Sequence, residues 1–190
     1  MKRAGQSGVM LLFAGALSAC GYHVAGRSNS LPKSIHVIAV PALENKTTTY
    51  KVEQKLTAAT IHEFLSKTNF RVVSDPQNGD AVLTGKVLSL EVVPLLFQST
   101  SSTAGSTAAQ ATAMLVTMRC EVTLTERDND KVLYHTDNFV FRNEYQLATS
   151  APSPNVRGDV ESFFQEGEPA LDRMAQDFAT RLVAAVTENY

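Results

Sequence analysis

From Met114 to Arg127 the chain alternates with a period of two, and no other feature restricts its fold as much. Met114, Val116, Met118, Cys120, Val122 and Leu124 fall on one side; Leu115, Thr117, Arg119, Glu121, Thr123 and Thr125 fall on the other. Such a stretch predicts a long strand with one apolar face to cover and one mostly polar face left to water. Asp128-Asn129-Asp130 predicts a hairpin turn, and Val132 to Tyr145 the returning strand. Residues 80–97 read as a third long strand, with Gly85 marking a bulge or a close neighbour and Pro94 thinning the pairing at the far end. Residues 34–41 read as a shorter strand, apolar on both faces and closed by Pro41. Phe70 to Val73 is a further short strand, leading into a turn at 74–79.

Two segments have helical spacing instead. Between about Thr49 and Lys67, Leu56, Thr60 and Phe64 stack at i, i+4 with Ile61 and Leu65 beside them. This leaves Lys51, Glu53, Gln54, His62 and Glu63 for the wet side, after a turn at 44–48 that carries capping candidates. The C-terminal segment is the more periodic: Leu171, Met174, Ala175, Phe178, Leu182, Ala185 and Val186 recur every three to four residues. Pro169 sits early, and Arg173, Gln176, Asp177, Thr180 and Arg181 form the opposite face. This order predicts an α+β two-layer sandwich: a mixed or antiparallel sheet of about four strands with two helices packed on one face, over residues 34–190. At 190 residues the chain accommodates one such domain, and a net charge of −2 gives no reason to expect nucleic acid.

The first residues read as an address. Lys2 and Arg3 precede a short apolar stretch from Val9 to Leu17, then Leu17-Ser18-Ala19-Cys20, which resembles a bacterial lipobox. That resemblance implies a signal peptide at 1–19, cleavage before Cys20, and acyl chains on the new N-terminal cysteine as a membrane anchor. Gly21 after the cysteine, rather than Asp, leans towards the outer membrane facing the periplasm. Residues 20–33, rich in Gly, Ser, Asn and Pro, read as the lipidated tether.

No constellation for catalysis stands out. His23, His36, His62 and His135 have no helical spacing to one another or to Cys120, so no metal site is expected. Cys120 reads as a small core hydrophobe. There is no glycine-rich phosphate loop and no nucleophile elbow; Glu161, Glu166 and Glu168 read as the solvated start of a helix. The expectation is a protein that is not an enzyme, with no cofactor beyond the covalent lipid on Cys20.

Residues 99–113 contain only small or polar uncharged side chains, and read as either a mobile loop or a surface ordered by a partner. Taken together, the chain resembles the LptE family of lipopolysaccharide-assembly lipoproteins. The resemblance is carried by Cys20-Gly21-Tyr22-His23, by Leu31-Pro32 with the strand Ile35 to Pro41, and by Asn45 and Thr47. It continues in Asp80-Ala81-Val82-Leu83-Thr84-Gly85-Lys86-Val87, in Val140-Phe141-Arg142 and in Ala170 to Ala175. It implies a plug inside the outer-membrane β-barrel LptD that aids barrel assembly and lipopolysaccharide placement. Ser99, Thr100, Ser101, Ser102, Thr103, Gly105 and Gln110 are then candidate barrel contacts, since a lumen filler should be small, uncharged and hydrogen-bonding. Gln98 and Arg157 are the candidate lipopolysaccharide contacts, and the chain departs from the family in lacking basic residues in the loop after Phe97. The competing reading is an accessory lipoprotein of another envelope export or secretion assembly, because residues 34–85 also resemble a TolB-like βαβ module.

Overall fold

The computed structural model describes residues 31–101, 107–146 and 168–188. Among them the strands are β1 (Val37–Ala39), β2 (Glu44–Asn45), β3 (Arg71–Val73), β4 (Ala81–Ser101), β5 (Thr107–Glu126) and β6 (Val132–Gln146). The helices are α1 (Val52–Lys67) and α2 (Glu168–Glu188). One mixed sheet runs β3-β1-β4-β5-β6, with β2 beside β4 further along. β1 is parallel to both β3 and β4, whereas β4, β5 and β6 form an antiparallel meander.

The α+β architecture is as expected, but the sheet has six strands among the described residues rather than about four. The difference lies in short pieces. β3 falls in the short strand expected at 70–73 and pairs with β1 over three residues, whereas Glu44–Asn45, expected inside a turn, pairs with Lys86 and Val87 of β4. A strand of two residues carries too little pattern to separate from a turn by periodicity.

The apolar face of β5 is buried as its alternation requires, with Met114, Val116, Met118 and Leu124 fully enclosed. Both helices cover that face and share one core with it. On α2 the apolar face is wider than its first pattern suggests: Ala179 and Val183 are buried too, while Ala185 is half-buried. Phe178 anchors the helix by meeting Phe139 and Phe141 edge-on at 5.7 and 6.0 Å. On α1 the face is rotated from the expected one. Val52, Leu56, Thr60, Glu63 and Phe64 point inward and Leu65 is 57% exposed. Glu63 is tolerated inside because Thr180 Oγ1 of α2 donates to its Oε1 at 3.0 Å. Lys55 Nζ and Asp172 Oδ1, at 2.6 Å, bridge the same two helices.

Local chemistry sets the element ends. No side chain in 44–48 caps α1. Lys51 is the N-cap, with φ 60 and no side-chain cap bond. Asn45 instead ties the preceding loop, donating to Thr49 O and Glu53 Oε2 and accepting from the Thr47 amide and hydroxyl. Leu31 packs into the core, three residues ahead of the expected start of the domain. Asp80 fastens the sheet at one end: its Oδ2 accepts from the His36 and Val37 amides, both at 2.9 Å, and its carbonyl accepts from Arg127. The His36 amide bond, ahead of the Val37 bond, holds the Asp80 carboxyl below its ordinary pKa.

Candidate partner-docking surface

Neither end of the meander is even. β1 pairs with β4 at Ala81 and Val82, and β2 at Lys86 and Val87. From Leu88 onward β4 has no neighbour on that side among the described residues. β6 reaches only Gln146, opposite Ala113 of β5. Beyond that rung β4 and β5 continue alone through Phe97↔Ala111, Gln98↔Gln110, Ser99↔Ala109, Thr100↔Ala108 and Ser101↔Thr107. Five more rungs project a two-stranded ribbon about 15 Å past the third strand. Register shifts at Val87/Ser89, Pro94/Leu96 and Leu96/Phe97, together with Pro94 itself, make the free edge of β4 a poor template for another strand.

This corrects two expectations. Pro94 does not thin the pairing: the ladder crosses it opposite Met114 and absorbs it with a shift of register. The described parts of the block 99–113 are not loop, since 99–101 and 107–113 are strand. A β-ladder satisfies backbone groups without bulky side chains, so small and polar composition does not exclude it.

Gln98, Ser99, Thr100 and Ser101 therefore lie on the distal part of β4, and Gln110 lies on β5 directly opposite Gln98. The structure brings these five together; Ser102, Thr103, Gly105, Arg157 and Cys20 lie outside the described residues. Sequence reasoning missed the apolar residues at the ribbon's root. On the face that the helices leave uncovered, Leu88, Val93 and Leu95 are 42%, 48% and 43% exposed, and Val140 of β6 is 47% exposed. Their signal was the doubled apolar pairs Val87-Leu88, Val92-Val93 and Leu95-Leu96, in which one member must face away from the core. From Val92 to Met118 the sequence contains no charged residue. What this surface offers is apolar contact at its root, leading into a ribbon whose sequence is neutral.

The remaining polar groups form small closed sets. On the uncovered face Lys86 Nζ meets Glu121 Oε1 at 2.9 Å, and that bond raises the lysine pKa. Thr123 Oγ1 lies 2.9 Å from His135 Nδ1, and His135 Nε2 lies 2.9 Å from Asp137 Oδ1. A groove of about 380 Å³ opens there between Pro41, Ala42, Glu44 and the Lys86–Glu121 pair. Between the helices and the end of β6, Asp177 Oδ2 accepts from Asn143 Nδ2 at 2.9 Å and Tyr145 Oη at 3.0 Å; burial pushes the Tyr145 pKa up. Burial also pushes the Cys120 thiol up to about 12, so it stays a protonated core group. Among the described residues no three His, Cys, Asp or Glu side chains converge to hold a metal ion.

No curated protein matches the chain significantly. Among solved structures it is similar to the PelC dodecamer from Paraburkholderia phytofirmans, at 12% identity over 85% of this chain and 94% of that one, TM-score 0.42. It is likewise similar to a hypothetical protein from Chlamydia trachomatis, at 10% identity over 80% and 95%, TM-score 0.47. A third is the rare lipoprotein B from Shewanella oneidensis, at 13% identity over 77% and 96%, TM-score 0.32. Those likenesses are too distant to bear on function. A family model does bear on it: the lipopolysaccharide-assembly model LptE matches residues 35–186, from just before β1 into the last turn of α2. The chain belongs to the LptE lipopolysaccharide-assembly family.

Proposed function

We propose that the chain is an outer-membrane lipoprotein, anchored through acyl chains on Cys20, that forms a complex with the LptD barrel as its plug and assembly partner. In that role it serves the transport of lipopolysaccharide and its insertion at the outer leaflet. The observation that carries this reading is the family match over residues 35–186, which takes in the meander and the C-terminal helix as well as the opening strand-helix unit. A TolB-like module alone would account for residues 34–85 and leave the rest unexplained.

The geometry supports the same role. A barrel lumen is polar inside and bounded by wall, so an inserted body should bring few charges that lose water without gaining a partner. The ribbon, with no charge from Val92 to Met118, meets that requirement, and the exposed Leu88, Val93 and Leu95 supply apolar contact. Direct lipopolysaccharide binding through cations has little support on the ribbon: Gln98 lies opposite the equally neutral Gln110.

Depleting the chain in its own cell tests the role. The expected result is loss of the barrel's compact, folded electrophoretic form together with lipopolysaccharide missing from the outer leaflet. Normal barrel folding and normal surface lipopolysaccharide after depletion would overturn it.

A further inference from the structure

A sheet that ends in open strands shows backbone N–H and C=O groups with which another strand can pair. This sheet ends in β3 on one side and β6 on the other. β3 has only three residues, and the open stretch of β4 is interrupted by Pro94 and its shifts of register. β6 is different. It runs for 15 residues without a proline and, among the described residues, pairs only with β5.

Side chains stop that outer edge. Asn143 Oδ1 accepts from the Glu144 amide at 3.1 Å, and Arg181 Nη1 of α2 donates to the Arg142 carbonyl at 3.0 Å. Alternate residues of a strand turn their backbone groups to the same side. An amide spent in the β5 ladder has no second hydrogen for a side chain, so 142 and 144 present their groups to the outer edge. Where the register slips between Thr136 and Phe139, Thr136 Oγ1 takes the Asn138 amide at 3.3 Å. α2 holds the first two stops in place. Asp177 Oδ2 accepts from Asn143 Nδ2 at 2.9 Å, which leaves the amide oxygen turned to Glu144. Arg181 follows one turn later on the same side of the helix, its guanidinium 5.1 Å over the centre of the Phe141 ring.

We propose that α2, through Asp177 and Arg181, closes the β6 edge against a second copy of this chain and so keeps the protein a single copy. A second copy is the competitor because the edge is self-complementary: two β6 strands meeting antiparallel across a two-fold axis present identical groups to each other. Val140, 47% exposed on the same strand, gives such a contact apolar area. The pairing is blocked while a donor and an acceptor it needs are already spent. The Arg181 guanidinium also stands at the Arg142 carbonyl, where the incoming strand's amide would lie. The closure concerns this chain alone and stands whether or not the barrel-partner reading does.

Sedimentation of the full-length, lipidated chain tests this, with detergent micelles in large excess so that two copies do not share one by chance. Wild type is expected to sediment as one copy across the concentration range. The double variant Arg181→Ala with Asn143→Ala is expected to pair with itself at least about tenfold more tightly than wild type. In that pair the amides from Asn138 to Gln146 should exchange with deuterium roughly tenfold more slowly than in the single copy. Denaturant midpoints show which variants keep the fold. Arg181 is exposed, so Arg181→Ala alone carries the test if the double variant does not fold. A folded variant that stays single at every concentration overturns the proposal. So does association that leaves exchange from Asn138 to Gln146 unchanged, or wild type that pairs through β6 as readily as the variants.

Discussion

At the level of single residues, spacing identifies a helix more readily than its direction of burial. The i, i+4 stripe of Leu56, Thr60 and Phe64 is real, but its neighbour Glu63 is inside and Leu65 outside, because α2 lies against the Glu63 flank and offers a hydroxyl. Nothing in 49–67 alone encodes that flank. Gly85 was legible as a close-approach position: a Cβ there would stand 2.8 Å from Leu43 Cδ2, the end of a flexible side chain. Gly79 is tighter, since a Cβ would meet Ala39 Cβ at 2.7 Å, Ala39 N at 2.8 Å and Ala81 O at 2.9 Å. We therefore expect Gly79→Ala to cost about 2–3 kcal/mol, and more than Gly85→Ala, in denaturant unfolding. Equal small effects would contradict this.

Asp80→Ala should cost about 1–3 kcal/mol at pH 7, because two backbone amides lose a charged acceptor. The folded carboxyl is the stronger acid, so its stabilisation is complete above the ordinary carboxylate range and fades as the pH falls through that range to the lowered native value. The gap between wild type and Asp80→Ala should accordingly narrow below about pH 4; a gap independent of pH would refute the assignment. With Cys20→Ala leaving Cys120 as the sole thiol, alkylation at pH 8 should fail in the native protein and succeed in guanidinium. Ready native labelling would contradict the buried thiol.

Among the elements, the long ones were legible because their pattern is long. The alternation across β5 predicts its buried face residue by residue, and the C-terminal periodicity predicts α2. The short strand β3 was legible at 70–73, but the two residues of β2 were not separable from a turn, and the ribbon was hidden because a ladder held by backbone bonds leaves little trace in side-chain polarity. Phe178→Ala removes an enclosed ring from between Phe139 and Phe141 and should cost about 3–5 kcal/mol, visible as a lower denaturant midpoint. The docking surface should behave in the opposite way. Val93→Lys, on the uncovered face, is expected to change stability by less than about 0.5 kcal/mol while lowering recovery of the barrel at least several-fold. Unchanged recovery would remove the apolar root from the docking surface.

For the whole molecule, a single-layered meander covered by two helices on one face leaves the other face and the long hairpin available for a partner. The candidate site was legible only in part: its neutral composition was read at Gln98 to Gln110, whereas its ribbon form and apolar root emerged from the register. Family membership and the charge-free ribbon support the proposal of a body that works inside another protein. Affinity purification of the lipidated protein from its own outer membrane in mild detergent, with identification of the co-purifying chain, tests that most directly. The account predicts a large outer-membrane β-barrel at about one-to-one stoichiometry. Recovery of the protein alone, or with a periplasmic ring or secretion component, would contradict it.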